Sequence, residues 1–367
     1  MNAFTKEDLK RFQAESLPQK YQRSLAKIAE WYSFWAHAVF VSFSGGKDST
    51  VLADMCAKWC SIIKATLYLM FVDTGLEYPE LKKFVKFYAQ YLRDKYQIEV
   101  VLDILRPEMR FDEVIKTYGY PIISKEVAKT VSAAKRLGQD SRYGRACLDK
   151  LNGVHKQKDG NVSLYNCAKY KPLLDVDFKI SSNCCDVMKK KPSHDYIKRT
   201  HRYPITAQMA DESRLREQRW IRYGCNGFNM SSPSSSPMSF WLEQDVLQYI
   251  KEENLPIASV YGEIEYVVEP EQMRIEDFGI SCGAPDKLRT TGCKRTGCIF
   301  CVFGCHLEES PSRFELLKET HPRQYDYCLN GGEYDEDGVW QPTKEGLGMR
   351  HVFDTLNGIY GDGFIKY

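Results

Sequence analysis

The sequence predicts an α/β fold, in which a parallel twisted sheet carries helices on both faces and is followed by an irregular, Cys-rich C-terminal region. Short apolar runs of strand length alternate with helical patterns along residues 38–104, an arrangement typical of parallel sheets covered by helices. Cysteines are concentrated between residues 282 and 305, where this periodic pattern has ended.

The first half of the chain gives the clearest elements. Apolar side chains at helical spacing predict an amphipathic helix over residues 19–35. The predictions that follow are strand 38–43, helix 50–59, strand 66–72, helix 79–96 and strand 98–104. Gly, Asp, Asn, Lys and Arg then dominate residues 138–166, where we expect an exposed excursion without regular structure.

The second half gives fewer regular signals. The predicted elements are a strand at 203–207 and helices at 211–222, 243–253, 313–320 and 346–356. Ser and Pro dominate residues 231–237, a composition typical of a linker. These patterns predict three segments, which are an N-terminal helical segment (1–37), an α/β domain (38–230) and a Cys-rich helical region (231–367).

Composition and charge limit the class of protein. Of 367 residues, 43% are hydrophobic and 27% charged, which excludes a collagen-like or mostly disordered chain. The sequence shows neither a signal-peptide core nor an apolar run of the roughly 18 residues that span a membrane. We therefore expect a cytoplasmic location, where the 13 cysteines stay reduced and serve as core residues or ligands.

Positive charge is concentrated in the middle of the chain. Residues 125–222 contain 22 Lys or Arg against 11 Asp or Glu, although the whole chain carries only +2. A basic region of this kind suits an anionic partner such as a nucleotide or a nucleic-acid backbone. A solvated, Lys-rich surface is the alternative interpretation.

The stretch SGGKDS at 44–49 lies between a predicted strand and a predicted helix. Its two glycines allow a tight turn and a close approach of the backbone to a ligand, and the free N–H groups at the helix start attract an anion. Lys47 adds a positive charge, while Ser44 and Ser49 add hydroxyl donors. Although the spacing differs from that of a Walker A loop, these residues predict a phosphate-binding loop.

A second candidate site follows the next predicted strand. Asp73 and Glu77 are carboxylates at the carboxyl end of that strand, from which they can reach a metal ion or a ribose hydroxyl. A turn residue and a carboxylate at a helix N-terminus are the alternative roles for these two side chains.

The SGGKDS stretch resembles the pyrophosphatase loop of the PP-loop (adenine nucleotide alpha-hydrolase) superfamily, which includes sulfonucleotide reductases, tRNA thiolation enzymes and DNA phosphorothioation enzymes. The segment FVDTGLEYPE at 71–80 resembles the DTG…PE signature of its phosphoadenylyl-sulfate (PAPS) reductase family. The resemblance implies an adenine nucleotide alpha-hydrolase-like fold, with ATP or phosphoadenylyl sulfate as ligand and Mg²⁺ as a further candidate. It implies nucleotide binding by Ser42, Ser44, Gly45, Gly46, Lys47, Asp48, Ser49, Asp73, Thr74, Gly75 and Arg216, and it makes Lys47, Asp48 and Asp73 the candidate catalytic residues.

Further segments are similar to motifs of the same family. NCCDVMKKKP at 183–192 is similar to the paired-cysteine motif CCxxRKxxP, with Met188 in the position of the arginine. ITAQMADESRLR at 205–216 is similar to GxRxxESxxR, with Met209 in the position of the first arginine, and PMSFWLEQDVLQY matches a third motif closely. The loss of two guanidiniums weakens the case for a doubly anionic sulfonucleotide, because arginine forks are natural partners of phosphate and sulfate.

The cysteines near the C-terminal third predict a metal site. Five thiols, of Cys282, Cys293, Cys298, Cys301 and Cys305, lie within 24 residues, a spacing that suits either zinc or an iron–sulfur cluster. The adjacent pair Cys184 and Cys185 favours a cluster, since neighbouring side chains converge poorly on one ion whereas a four-iron cluster offers separate iron corners. Together with the resemblance, this favours a [4Fe–4S] cluster on Cys184, Cys185, Cys298 and Cys301. Zinc, and a local ligand set of Cys293, Cys298, Cys301 and Cys305, are alternatives, and the remaining thiols are interpreted as structural: Cys56, Cys60, Cys147, Cys167, Cys225 and Cys328.

The sequence leaves three functions open. In the first, ATP is cleaved at its α phosphate and the cluster assists sulfur transfer to an acceptor, either a nucleic acid or a protein that binds the basic region. In the second, the chain is a phosphoadenylyl-sulfate or adenylyl-sulfate reductase that releases sulfite, with Cys328 or Cys305 replacing the nucleophile that the family carries near its C-terminus. In the third, it is a nucleotide-sensing subunit of a larger complex. A homo-oligomer is a further arrangement that the sequence leaves open.

Overall fold

The computed structural model describes residues 3–157, 159–267 and 287–367. The chain forms two compact units that are interleaved along the sequence. Unit 1 comprises Met1–Asp73, Glu77–Leu105 and Ser193–Thr296, and unit 2 comprises Thr74–Leu76, Arg106–Pro192 and Gly297–Tyr367. The three segments expected from composition, with boundaries at 37/38 and 230/231, stay a prediction.

The described residues form the following helices and strands. The helices are α1 (Lys6–Gln13), α2 (Leu17–Phe34), α3 (Lys47–Ile63), α4 (Pro79–Tyr96), α5 (Phe111–Tyr118), α6 (Lys125–Leu137), α7 (Arg142–Leu151), α8 (Lys191–Thr200), α9 (Arg214–Tyr223), α10 (Glu243–Glu252), α11 (Arg313–Thr320), α12 (Pro322–Leu329) and α13 (Met349–Tyr360). The strands are β1 (Val39–Ser42), β2 (Leu67–Val72), β3 (Val100–Leu105), β4 (Tyr203–Ile205), β5 (Asn226–Gly227), β6 (Ser234–Ser235), β7 (Ile264–Val267), β8 (Lys287–Thr290), β9 (Glu333–Tyr334) and β10 (Trp340–Gln341).

Unit 1 is built on a six-stranded sheet with the order β3-β2-β1-β4-β6-β5. All neighbouring strands run parallel except β5, which is antiparallel to β6. Val41 of β1 is in register with Leu69 on one side and Ile205 on the other, so the carboxyl ends of β1, β2 and β4 lie at one edge of the sheet. The structure therefore confirms the predicted α/β class with a mainly parallel sheet.

The central strand β1 is covered on both faces. Successive strand residues point to opposite faces, yet Val39, Phe40 and Val41 are all at most 1% exposed. This continuous burial is typical of a parallel strand between two layers of helices.

Helix α3 is fixed to its neighbours by a buried carboxylate. Asp54 is fully buried, and its Oδ1 accepts hydrogen bonds from Lys95 Nζ at 3.0 Å and Tyr96 Oη at 2.8 Å. Its Oδ2 accepts a hydrogen bond from Tyr249 Oη at 2.9 Å. Because Lys95 and Tyr96 belong to α4 and Tyr249 to α10, these bonds hold α3, and with it the loop at its N-terminus, in a fixed position.

Two sequence expectations are wrong. Residues 138–166 contain helix α7, which buries Cys147 and Leu151; the many basic residues on its exposed side obscure this apolar face in the sequence. The Ser/Pro stretch 231–237 is not a linker, because it contains β6, whose Ser235 is fully buried and in register with Ile205. The short hydroxyl side chains of this buried strand find hydrogen-bond partners inside the protein. Ser235 Oγ, for example, donates to Asn226 Oδ1 at 2.6 Å.

Unit 2 is largely helical and includes the antiparallel pair β9 and β10. Tyr120 joins the middle of unit 2 to the C-terminal part of the same unit. Its Oη donates a hydrogen bond to Leu347 O at 2.8 Å. Helix α12, in the same unit, was not anticipated from the sequence. Across the described ranges, the helices lack the combination of length and apolar character that crossing a membrane requires.

Candidate functional site

The phosphate loop joins β1 to α3 in unit 1. Strand β1 ends at Ser42 and α3 begins at Lys47, so SGGKDS occupies the strand–turn–helix position expected of it. Gly45 has φ +74°, and a Cβ atom there would lie 2.9 Å from Val85 Cγ2 and 3.1 Å from Leu81 Cδ2. Glycine is therefore required at this position both by the backbone conformation and by the close approach of α4.

The two loop serines stabilise the turn itself. Ser49 Oγ accepts a hydrogen bond from Ser44 N at 3.2 Å and donates one to Gly46 O at 2.9 Å. The hydroxyls of Ser44 and Ser49 are 3.1 Å apart, and Gly46 N donates to Ser44 Oγ at 3.3 Å. The hydroxyls expected to bind phosphate thus also set the shape of the loop.

Lys47 is held by residues that the sequence patterns did not single out. Its side chain is nearly buried, and Nζ donates to Lys294 O at 2.6 Å and forms an ion pair with Glu243 Oε1 at 2.7 Å. Its backbone N–H donates to Tyr261 Oη at 3.2 Å, and that hydroxyl lies 2.6 Å from Thr296 Oγ1. No spacing or motif links these partners to the loop, because they come from distant parts of unit 1.

Asp48 has a buried carboxylate oxygen, Oδ1, for which the described residues provide no hydrogen-bond partner. Burial raises the pKa of Asp48, and the charge of Glu243 raises it further, while the charges of Lys47, Arg295 and Arg216 oppose that shift. A buried carboxylate oxygen without a hydrogen-bond partner among the described residues, close to several charged side chains, is typical of a functional site.

Arg216 joins the same charged group from α9. It forms an ion pair with Glu212, and its side chain is about one-third exposed. Burial lowers the pKa of Arg216, and the like charge of Arg295 lowers it further, although Asp48 opposes both. Arg295 was not predicted as a site residue. The sequence feature that could have pointed to it is its position between two of the clustered cysteines.

Asp73 follows β2 at the same edge of the sheet as the loop. Its carboxylate pairs with Lys82 Nζ at 2.5 Å, and its N–H donates to Leu105 O at 2.8 Å. Ser42 is half-buried at the end of β1. Glu77, which lies just before α4, is buried. The remaining predicted nucleotide-binding residues, Thr74 and Gly75, belong to unit 2.

Four of the candidate ligand cysteines interact within unit 2. A hydrogen bond with Cys185 raises the pKa of Cys184, and burial and the thiols of Cys301 and Cys298 raise it further. The same hydrogen bond lowers the pKa of Cys185. Residues 184–185 and 298–301, which are far apart in the sequence, are therefore close enough for their thiols to influence one another.

Three cations, Lys125, Lys189 and Arg313, influence this cysteine group. The charge of Lys125 and a hydrogen bond from it lower the pKa of Cys185, as does the charge of Lys189, although burial opposes them. Near the other two thiols, Cys301 N donates to Cys298 O at 3.0 Å, and Arg313 Nη1 donates to Cys301 O at 2.9 Å. The two lysines therefore favour the thiolate of Cys185, the form of cysteine that binds metals, whereas burial raises the pKa of Cys301 against the opposing charge of Arg313.

The alternative ligands differ from these four. Cys293 belongs to unit 1, and burial raises its pKa while a hydrogen bond with Tyr78 opposes the shift. Cys305 is buried, and its Sγ donates to Cys301 O at 3.3 Å. Cys282 lies outside the described residues. Within the ranges that the structure describes, no three His, Cys, Asp or Glu side chains are arranged to hold a single metal ion.

Most of the thiols interpreted as structural are buried. Cys56, Cys60, Cys147, Cys225 and Cys328 are buried, and Cys167 is half-buried. Cys328 is fully buried with its Sγ 3.5 Å from Met349 Sδ, and burial raises its pKa far above the usual value for cysteine. It therefore has the character of an inert core thiol rather than of a nucleophile.

Two comparisons with known proteins bear on this site. Residues 38–141 and 148–303 match the family described as "Phosphoadenosine phosphosulfate reductase domain". Over 185 residues the chain is 32% identical to an uncharacterized protein of Methanocaldococcus jannaschii. That match covers 46% of this chain and 41% of the relative, so it spans well under half of that protein's length.

Proposed function

This chain belongs to the phosphoadenosine phosphosulfate reductase domain family, and from that premise we propose that it binds ATP or a related adenylyl nucleotide and cleaves it at the α phosphate. The observation that carries the proposal is the buried, unpartnered Oδ1 of Asp48 at the start of α3, next to the buried Lys47 and under the electrostatic influence of Arg216 and Arg295. Such a group is suited to a polyphosphate or phosphosulfate, whose charge it neutralises.

The loop residues would act mainly by electrostatics. The nucleotide phosphates bind at the N-terminus of α3, where free N–H groups and the helix dipole attract anions. Lys47 exchanges its contact with Glu243 for one with phosphate. As an acceptor oxygen attacks the α phosphorus, the bond from that phosphorus to the bridging oxygen breaks and pyrophosphate leaves with the bonding electrons. The three cations stabilise this negative charge.

We assign Cys184, Cys185, Cys298 and Cys301 as the ligands of a [4Fe–4S] cluster. These four thiols interact electrostatically, and Lys125 and Lys189 favour the thiolate form of Cys185. A four-iron cluster takes one thiolate at each iron, so the thiols need not converge on a single point as zinc would demand. When bound, such a cluster would supply Lewis-acid chemistry for sulfur transfer. In that transfer a hydrosulfide attacks the adenylated acceptor atom, the bond to sulfur replaces the bond to the adenylyl oxygen, and AMP leaves with the bonding electrons.

The second candidate is a reductase that releases sulfite from phosphoadenylyl or adenylyl sulfate. The interacting cysteine pair favours it, because the family's paired-cysteine motif includes these residues. The two thiols proposed as replacement nucleophiles argue against it, since Cys305 and Cys328 are both buried and burial raises the pKa of each.

The exposed positive charge of the basic region is the basis on which we propose a class of acceptor. Exposed basic residues on α6 and α7, such as Lys129, Arg136, Arg142 and Arg145, belong to the basic region 125–222. They suit a nucleic-acid backbone better than a neutral acceptor, while an acidic protein surface is the alternative. A sensing subunit would use the same loop without turnover.

One assay separates these functions. The full chain, purified without oxygen, is incubated with ATP or with phosphoadenylyl sulfate, with bulk tRNA or a DNA duplex as acceptor, and pyrophosphate and sulfite are measured. We expect pyrophosphate from ATP. Sulfite from phosphoadenylyl sulfate would replace the first proposal by the second, and nucleotide binding without either product would support the sensing role.

A further inference from the structure

Neutral groups of unit 1 hold Lys47 in its place at the start of α3. Its backbone N–H donates to Tyr261 Oη at 3.2 Å, and its Nζ donates to Lys294 O at 2.6 Å. Tyr261 is 2% exposed, and its hydroxyl lies 2.6 Å from Thr296 Oγ1. These acceptors fix the position of Lys47 without cancelling its positive charge.

The charged partner of Lys47 is Glu243, whose Oε1 lies 2.7 Å from Nζ. The two side chains differ in exposure, because that of Lys47 is 4% exposed and that of Glu243 is 50% exposed. Water can hydrate a carboxylate that leaves the pair, whereas an ammonium without a partner is costly inside the protein. Glu243 is therefore the partner that can move.

The backbone that carries Glu243 is fixed beside the loop. Glu243 is the first residue of α10, and the next residue, Gln244, is bonded twice to β8. Gln244 Nε2 donates to Leu288 O at 3.0 Å, and Leu288 N donates to Gln244 Oε1 at 2.8 Å. The N-terminus of a helix also stabilises a carboxylate. The side chain of Glu243 can thus leave Lys47 by rotation alone, while α10 stays in place.

A carboxylate in this position has the same chemistry as a phosphate ligand. Both groups are oxyanions that bind an ammonium through charge-assisted hydrogen bonds. Because two anions at one ammonium repel each other, a phosphate and the carboxylate of Glu243 compete for Lys47. Burial raises the pKa of Asp48, and the charge of Glu243 raises it further, so this carboxylate acts on the loop beyond Lys47 itself.

We propose that Glu243 is an internal competitor of the nucleotide. In the free protein its carboxylate occupies Lys47, and it rotates into solvent when a phosphate binds, while Tyr261 and Lys294 keep the ammonium in place. This inference rests on the proposed function, because it needs a nucleotide with phosphates at the loop. An ion pair with one half-exposed partner favours the paired state about fivefold, and the apparent affinity for nucleotide falls by a similar factor.

The test measures dissociation constants of the full chain for ATP and for adenosine by equilibrium dialysis. Glu243→Gln removes the charge of the side chain and keeps its size. Glu252→Gln is the matched control, because it makes the same change at an exposed residue at the other end of α10. We expect Glu243→Gln to bind ATP about fivefold more tightly than wild type, and Glu252→Gln to bind it as wild type does. Adenosine has no phosphate, so its affinity should stay the same in both variants.

A purely structural role for the ion pair predicts a change of opposite sign, because loss of the pair would then disturb the loop and weaken ATP binding. An ATP affinity in Glu243→Gln equal to or below that of wild type would therefore overturn the competition. An equal gain for adenosine would overturn it as well, since it would show a general effect on the site. These outcomes leave nucleotide binding itself in place. If neither wild type nor Glu243→Gln binds ATP, the proposed function fails.

Discussion

The phosphate loop and the four-cysteine group differ in whether the protein's own groups supply the hydrogen-bond and charge partners of the site. In the loop, Lys47 already has a carboxylate and a carbonyl as partners, and the serine hydroxyls are bonded within the turn. In the cysteine group, by contrast, a hydrogen bond with Cys185 and burial raise the pKa of Cys184, and the nearby thiols of Cys301 and Cys298 raise it further.

This difference shows what each site requires. The loop is held by hydrogen bonds among its own residues, so a ligand there would exchange contacts that already exist. Four thiolates in the cysteine group would need an added positive centre, such as the cluster proposed above, because close negative charges in a buried setting are costly.

Removing the loop ammonium should have the largest effect. In Lys47→Met, nucleotide turnover should fall about 100-fold or more, because one preorganised charge at a developing anion is worth that much. Lys58→Met is the matched control, since Lys58 lies on the same helix with Nζ 3.9 Å from Glu253, and it should retain turnover. Release of pyrophosphate or sulfite is the measurement, and similar rates in the two variants would contradict this role for Lys47.

Breaking the cysteine group should remove iron. Cys298→Ser should bind iron at least about tenfold more weakly, because a thiolate ligand is lost, whereas Cys293→Ser should keep its iron. Iron content and brown colour after anaerobic purification report the result. The opposite pattern would favour the local ligand set, and a colourless, zinc-containing wild type would exclude the cluster.

A methyl group at Gly45 should destabilise the loop region. Gly45→Ala combines a φ of +74° with a contact at 2.9 Å, so we expect the free energy of unfolding to fall by about 2–3 kcal/mol. Gly338→Ala has a similar φ of +72° and open space, and it should cost only about 1 kcal/mol. Urea unfolding measures both, and equal losses would show that the contact with α4 is unimportant.

The smallest expected effect concerns Asp48 and pH. Burial raises the folded-state pKa of Asp48, so its ionisation costs stability as pH rises from the usual aspartate value of 3.8 through the raised value. Asp48→Asn should therefore be slightly more stable than wild type at neutral pH, and the gain should vanish in acid, where both side chains are neutral. A gain that persists in acid would assign the effect to packing instead.

Much of the architecture was predictable from local patterns. Helix α4 was predicted with its observed limits, and β1, β2 and α10 within about two residues, because their apolar periodicity is strong. Helix α7 and strand β6 lie in stretches predicted to be irregular, since a basic surface and short polar side chains obscure their buried faces. No prediction was made for five further helices, α1, α5, α6, α8 and α12. The predicted loop residues 44–49 occupy the expected strand–turn–helix position.

The sequence by itself determined the family, the phosphate loop and the adjacent cysteine pair, since each of these lies in a short run of contiguous residues whose chemistry is local. Only the tertiary structure decided that Glu243, Tyr261 and Arg295 surround the loop, and that the thiols of residues 184–185 interact with those of residues 298–301. Those contacts join residues far apart in the chain. They depend on how elements pack, which periodicity and spacing do not encode.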